Sequence, residues 1–159
     1  MVEPIDVVEL LIQDHRDLNR LLDGLDHETR PAELRKLYNE VLAAVAGHET
    51  AEESLVFPSL VGLAVLTSQD GDGVLAQHDE INQMLADMRL LDPAGVGFEK
   101  RSSALVLQLR RHFEAEEEVL FPILVEAFSA LERAEMGQAV LAAKASPPAF
   151  PITEPSLRS

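Results

Sequence analysis

The sequence predicts an all-α chain: an up-down-up-down four-helix bundle followed by a short C-terminal helix and a mobile tail. Three observations carry this expectation. Apolar residues recur at helical spacing in four long segments, glycine, proline and aspartate gather in short links between them, and no segment alternates like a paired strand. Four amphipathic helices on short links bury their stripes as antiparallel neighbours. With 159 residues the chain can bury one real core. Residues 1–128 are expected to form the bundle, 129–145 the C-terminal helix and 146–159 a proline-rich tail.

The first helix is expected to start near Pro4 or Ile5 and to stop at Gly24, because proline suits a first helical position and glycine a C-terminal stop. Val8, Leu11, His15, Leu18 and Leu22 share one face of it. A loop follows from Asp26 to Pro31, and His27 in that loop reads as a surface residue. The second helix starts at about Pro31 and turns Leu34, Leu37, Val41, Ala44 or Val45, His48, Glu52 and Leu55 inward. Tyr38, the one tyrosine, falls on the flank of that stripe and reads as packing. Pro58 should kink or end this helix.

The stretch from Gly62 to Gly73 reads as the link between halves, with Asp70 and Asp72 as turn and capping residues. They lack the spacing and closing glutamate of a calcium loop. The third helix is expected over Val74–Leu91, with Leu75, His78, Ile81, Leu85 and Met88 inward. After the break at 92–97, the fourth runs from about Phe98 to Phe128 with Leu105, Leu109, His112, Glu116 and Val119 inward. Ser129 is placed to cap a fifth, from Ala130 to Lys144.

The chain repeats itself. His48-Glu49-Thr50-Ala51-Glu52-Glu53-Ser54-Leu55-Val56-Phe57-Pro58 returns as His112-Phe113-Glu114-Ala115-Glu116-Glu117-Glu118-Val119-Leu120-Phe121-Pro122. Upstream, Asp14-His15 and the following Asn19 and Leu22 match Gln77-His78, Asn82 and Leu85. The first histidine precedes the HxxxE histidine by 33 residues in one copy and 34 in the other. Each HxxxE pair lies about 40° apart on one helix face and so aims an imidazole and a carboxylate at the same point. Alone, such a pair is usually a polar surface; repeated, it is a constellation. Four of the five histidines belong to it.

This H…HxxxE…H…HxxxE pattern resembles the hemerythrin-like (HHE cation-binding) proteins over roughly residues 5–128. The resemblance implies two non-haem irons held between four helices. His15 and His48 would hold one, His78 and His112 the other, and Glu52 and Glu116 would bridge them, with an oxo or hydroxo bridge from solvent. Each iron would then have five ligands, one short of octahedral. The chain departs from the oxygen-carrying hemerythrins, which place two histidines four residues apart on the third helix; here Val74 and Asn82 flank His78 at that distance. Glu49 could bend back as a further ligand, and Glu53 and Glu117 read as a solvated acidic face. Family members are linked to dioxygen, peroxide and nitric oxide chemistry and to iron or oxygen sensing.

Donor chemistry agrees. Four imidazoles and two carboxylates without a thiolate suit iron, manganese or zinc, and are too many for one tetrahedral zinc. With no cysteine, disulfides, thiolate sites and iron–sulfur clusters are excluded. The spacing is neither the Glu-x-x-His of ferritin-like bundles nor the His-Glu-x-x-His of zinc proteases. Leu22, Leu85, Leu55 and Val119, inward and close to the six residues, are expected to make a dry pocket that suits oxygen, peroxide, nitric oxide or azide rather than a charged organic substrate. A formal charge of −15 argues against nucleic acid and anionic membranes as partners. The N-terminus lacks a basic leader region, so a cytoplasmic location is expected.

Overall fold

The computed structural model describes residues 5–63 and 68–145, with side chains described outside 68–72. Every regular element among them is helical: α1 (Val7–His27), α2 (Pro31–Ala51), α3 (Phe57–Gly62), α4 (Ser68–Met88), α5 (Val96–Ala115), α6 (Phe121–Ala127) and α7 (Ala130–Ala145). The segments Glu52–Val56 and Glu116–Leu120 are π-helical turns that join α2 to α3 and α5 to α6 without a break. The bundle therefore has four rods, 7–27, 31–62, 68–88 and 96–127, with α7 laid against them. No helix among the described residues is long and apolar enough to cross a membrane. The expected tail, 146–159, and Pro4 lie outside the described residues.

Several boundaries differ from the sequence reading, each for a local reason. Asp6 caps α1 by accepting from Val8 N–H at 2.8 Å. Gly24 does not stop the helix: its carbonyl accepts from Glu28 N–H at 2.8 Å, one turn later. A Cβ there would lie 3.1 Å from Leu37, so the glycine serves close packing of α1 on α2. The Gln69–Gly73 segment, expected as a turn, is backbone of α4. At α7 the expected cap forms and is reciprocal: Ser129 Oγ accepts from Glu132 N–H at 3.2 Å, and Glu132 Oε1 accepts from Ser129 N–H at 3.0 Å.

The π turns have a visible cause. Pro58 and Pro122 cannot donate to the carbonyl four residues back, and their rings crowd it. The ladder widens instead: Phe57 N–H bonds the Glu52 carbonyl and Phe121 N–H the Glu116 carbonyl, both five residues back. Ser59 Oγ donates to the Leu55 carbonyl at 2.6 Å. One residue is thereby inserted into the helical phase. Val56 and Leu120 turn inward in place of the expected Leu55 and Val119, and Val119 is 61% exposed. Leu75 also lies outside the stripe, 41% exposed.

The core has two apolar clusters. One gathers Leu18, Leu22, Tyr38, Val45, Ile81, Leu85, Phe98 and Leu109 from the α1 C-terminal half, α2, α4 and α5. The other gathers Val7, Leu11, Ala51, Val56, Leu60, Leu120, Leu124 and Val140 at the opposite end. Tyr38, fully buried, donates its hydroxyl to the Leu85 carbonyl and ties α2 to α4. At the second end α7 closes the bundle. Gly137 sits so near the start of α1 that a Cβ would fall 1.9 Å from the Ile5 carbonyl oxygen. Arg133 Nε donates to Asp6 Oδ2 at 2.7 Å across the same junction.

Candidate metal centre

Between the two apolar clusters lies one polar layer. His15 follows Leu11 and precedes Leu18; His48 falls between Val45 and Ala51; His78 between Val74 and Ile81; His112 between Leu109 and Leu120. Each rod thus changes from one cluster to the other across a histidine. The six residues expected from sequence, His15, His48, Glu52, His78, His112 and Glu116, all converge there, and none exceeds 7% exposure.

They form two groups, each able to hold one ion. His15, His48 and Glu116 make one; Glu52, His78 and His112 make the other. His15 Nε2 lies 3.2 Å from His48 Nε2 and 3.1 Å from Glu116 Oε1. The carboxylates reach across the groups. Glu116 Oε1 is 3.4 Å from both His48 Nε2 and His112 Nε2, and Glu52 Oε1 is 2.8 Å from His48 Nε2 and 3.9 Å from His78 Nε2.

Some polar atoms in this layer make no hydrogen bond despite these short contacts: both Glu52 oxygens, Glu116 Oε2, and Nε2 of His78 and His112. Buried polar atoms are nearly always satisfied, and five orphans facing one layer fit a cation set that the protein itself does not supply. The donor set therefore fits two hard or borderline metal ions.

All four imidazoles present Nε2 inward, and their Nδ1 atoms face side-chain oxygens from neighbouring rods. Asp14 Oδ2 is 3.1 Å from His48 Nδ1, and Gln77 Oε1 is 3.2 Å from His112 Nδ1. Glu53 Oε1 is 2.8 Å from His78 Nδ1, while Glu117 Oε1 stands 3.8 Å from His15 Nδ1. The arrangement obeys the repeat. The residue before each first histidine supports the HxxxE histidine of its own half; of the plus-five glutamates, Glu53 supports the first histidine of the other half and Glu117 faces His15 without bonding it. Such partners fix ring orientation and tautomer. Glu53 thus leaves the solvated face assigned to it, while Glu117 stays on that face, exposed and 3.8 Å from His15 Nδ1. Lys144 of α7 pairs with Asp14, so the C-terminal helix reaches the layer at second remove.

Glu49 is the seventh buried member, 6% exposed, and groups with Glu53 and His78. Burial raises its carboxyl to about 7, against the opposing pull of His78 charge and an Asn82 hydrogen bond. At His48, burial works against the charged ring, but hydrogen bonds to Asp14 and Glu116 prevail and raise it to about 9. Burial and the neighbouring imidazoles of His78, His48 and His15 push His112 down to about 3. His27 stays at the surface as expected, its Nδ1 2.8 Å from the Asp23 carbonyl.

These shifts predict how the metal-free chain responds to pH. His48 is raised, so its contribution is full below about 6.5 and lost as pH rises through about 9. Glu49 is raised too, and its neutral form stops stabilising as pH passes about 7. His112 acts oppositely, weakening the fold as pH falls from about 6.5 towards about 3. The melting temperature of chelator-treated protein is expected to peak in the mildly acidic range and to fall steadily to pH 9. With metal bound, the cation replaces the His48 proton and the alkaline fall disappears. Parallel melts with and without chelator check this; identical pH profiles count against a metal at His48.

Comparison with known proteins agrees with this geometry. The family model described as the hemerythrin HHE cation binding domain matches residues 6–124 and 71–143. The crystal structure of a hemerythrin HHE cation binding domain-containing protein from Mycobacterium kansasii superposes with a TM-score of 0.76 at 20% identity, covering 89% of this chain and 86% of that one. A DNA nickase of Nostoc sp. is 19% identical over 142 residues, 89% of this chain. The chain spans only 40% of the nickase's length.

Proposed function

The chain belongs to the hemerythrin HHE cation binding domain family, and from that premise we propose that it is a di-iron protein binding dioxygen or a related small molecule at the metal pair. The observation that carries the proposal is the sharing of Glu52 and Glu116 between two histidine pairs, since carboxylates within reach of both groups suit two neighbouring ions rather than one. His15 and His48 would hold one iron, His78 and His112 the other, with Glu52 and Glu116 common to both. Glu49, beside His78, is placed to add a seventh ligand. When bound, the iron pair supplies Lewis acidity and electrons for a small ligand.

The chain's own groups do the rest. Asp14, Glu53 and Gln77 hold three imidazoles with Nε2 inward. The apolar clusters above and below exclude water from the layer. The chain's formal net charge of −15 weighs against a DNA backbone as partner, and the nickase's activity is not proposed for it. A second reading, peroxide or nitric oxide detoxification at the same pair, is favoured by Glu49, a buried carboxyl grouped with His78 that the six-residue ligand set does not use.

Elemental analysis of protein expressed with ample iron should find about two irons per chain, on the ligand count above. Azide added to the ferric form should shift its charge-transfer bands. One metal per chain, or zinc alone, sinks the dinuclear reading; an unchanged spectrum at saturating azide removes the small-ligand function and leaves iron holding or sensing. Oxygen evolution from hydrogen peroxide by the iron-loaded chain separates the enzyme from the carrier.

A further inference from the structure

The two halves repeat in sequence, but they differ in what stands behind the HxxxE histidines. Behind His48 is the carboxylate of Asp14, with Oδ2 3.1 Å from Nδ1 of the ring. Behind His112 is the amide of Gln77, the matching residue of the repeat. The other oxygen of Asp14 accepts from Lys144 Nζ, in the last turn of α7. One carboxylate thus spans a histidine of the polar layer and a lysine of the C-terminal helix.

α7 packs on α1, α2 and the Glu52–Val56 turn, the elements that bring His15, His48 and Glu52. It is held at three places. Arg133 bonds Asp6 at its start, Gly137 and Val140 pack in its middle, and Lys144 meets Asp14 at its end. Only the last attachment reaches the polar layer. The Lys144 side chain is 31% exposed, so the ion pair adds little to stability as such. Its effect is on where Asp14 sits. A cavity of about 260 Å³ adjoins the pair, lined by Asp14, Asp17, Ala43, Gly47 and Lys144. Without the lysine, the Asp14 carboxylate, 13% exposed, loses its cation, and turning into that cavity hydrates it and takes it off His48.

We propose that Lys144 is a positioning residue for the metal centre: by fixing Asp14 on His48 Nδ1, it couples docking of α7 to occupation of the His15–His48 position. This rests on metal at that position, as read above, and goes beyond it by giving the C-terminal helix a part in binding. A metal on Nε2 keeps the ring proton on Nδ1, where Asp14 accepts it. A fixed Asp14 therefore favours the metal-bound ring, and the metal-bound ring favours the docked helix. The two effects are one coupling and are equal in size.

Amide hydrogen exchange of the unsubstituted chain tests the coupling without a variant. At room temperature α7 should exchange about tenfold faster after chelation than with iron bound, through local opening of the helix. Ferrous iron competed anaerobically against a chelator reads the other side. Lys144→Met should bind iron about tenfold more weakly, the low end for an outer partner, and its α7 exchange should lose most of its dependence on iron. Lys144→Arg, which keeps a cation and its donors, should restore both. Arg133→Met loosens the other end of α7: it should speed exchange with and without iron alike and leave the affinity as it was. Three results overturn the inference while two irons per chain keep the dinuclear reading: equal α7 exchange with and without iron, a Lys144→Met affinity equal to that of the unsubstituted chain, or an equal loss in Arg133→Met. A chain that binds no iron overturns both.

Discussion

Removing the metal should lower the melting temperature by about 8–16 °C without unfolding the chain at room temperature. The drop follows from linkage. A ligand held only by the folded state at a thousand times its dissociation constant stabilises it by about 4.1 kcal/mol. For a chain of this size each kcal/mol shifts the midpoint by about 2–4 °C. The second half of the expectation follows from the core. The polar layer separates two apolar clusters, each drawing on several rods, and neither contains any of the six convergent residues. With the cation gone, Glu52 and Glu116 face one another's histidines with five unsatisfied atoms among them, a local cost in the middle of an otherwise packed bundle. Calorimetry and far-ultraviolet circular dichroism before and after chelation measure both halves. A midpoint that does not move would mean that protons on His48 and Glu49 satisfy the layer as well as metal does. Loss of helicity at room temperature would instead make this a module that folds only on metal.

Much of the site was legible because its signal is duplicated and short-range. All six convergent residues came from one motif read twice, and an α-helix fixes the relative direction of i and i+4 whatever the tertiary context. Beyond the glutamates the reading slipped by one residue in both halves, and for one reason. Counting by 3.6 past Glu52 and Glu116 reaches Leu55 and Val119, whereas the π turns bring in Val56 and Leu120. A signal was present: Pro58 and Pro122 forbid the ordinary bond, and Val56-Phe57 with Leu60, like Leu120-Phe121 with Leu124, form an apolar stripe shifted by one. The expected dry pocket failed with the phase. Leu22 and Leu85 are core, Leu55 is half-buried, and Val119 lines an open cleft.

The outer partners were not legible, because each is a contact between rods and nothing in a single helix period marks it. Asp14 and Gln77 sit one residue before a histidine and support another histidine on the next rod. The hint lay in their matching place in the two repeats. Lys144 could not have been found at all: its link to Asp14 depends on where α7 docks, which turns on the close approach of Gly137 to Ile5.

Glu52→Ala and Glu116→Ala should each take the chain from about two irons to fewer than one, because each removes a donor from both positions at once. Glu116 Oε1 lies within 3.1–3.4 Å of His15, His48 and His112, and Glu52 Oε1 within 2.8–3.9 Å of His48 and His78. The remaining histidine pairs would face each other with excess positive charge between them and one shared carboxylate to offset it. The neighbouring glutamates are expected to behave differently. Glu53→Gln keeps an oxygen for His78 Nδ1 but removes the charge behind it, and such changes in an outer partner cost about 10–100-fold in metal affinity. Iron at saturation should therefore remain near two in Glu53→Gln, with the loss visible only in competition with a chelator. Glu117→Gln should weaken binding less still, since Glu117 stands 3.8 Å from His15 Nδ1 rather than in hydrogen-bond contact. Iron counted by elemental analysis, with chelator competition on the four variants, ranks them. If Glu53→Gln loses iron as completely as Glu52→Ala, the shared-carboxylate arrangement is wrong, and the ion beside His78 is held by Glu49 and Glu53 instead.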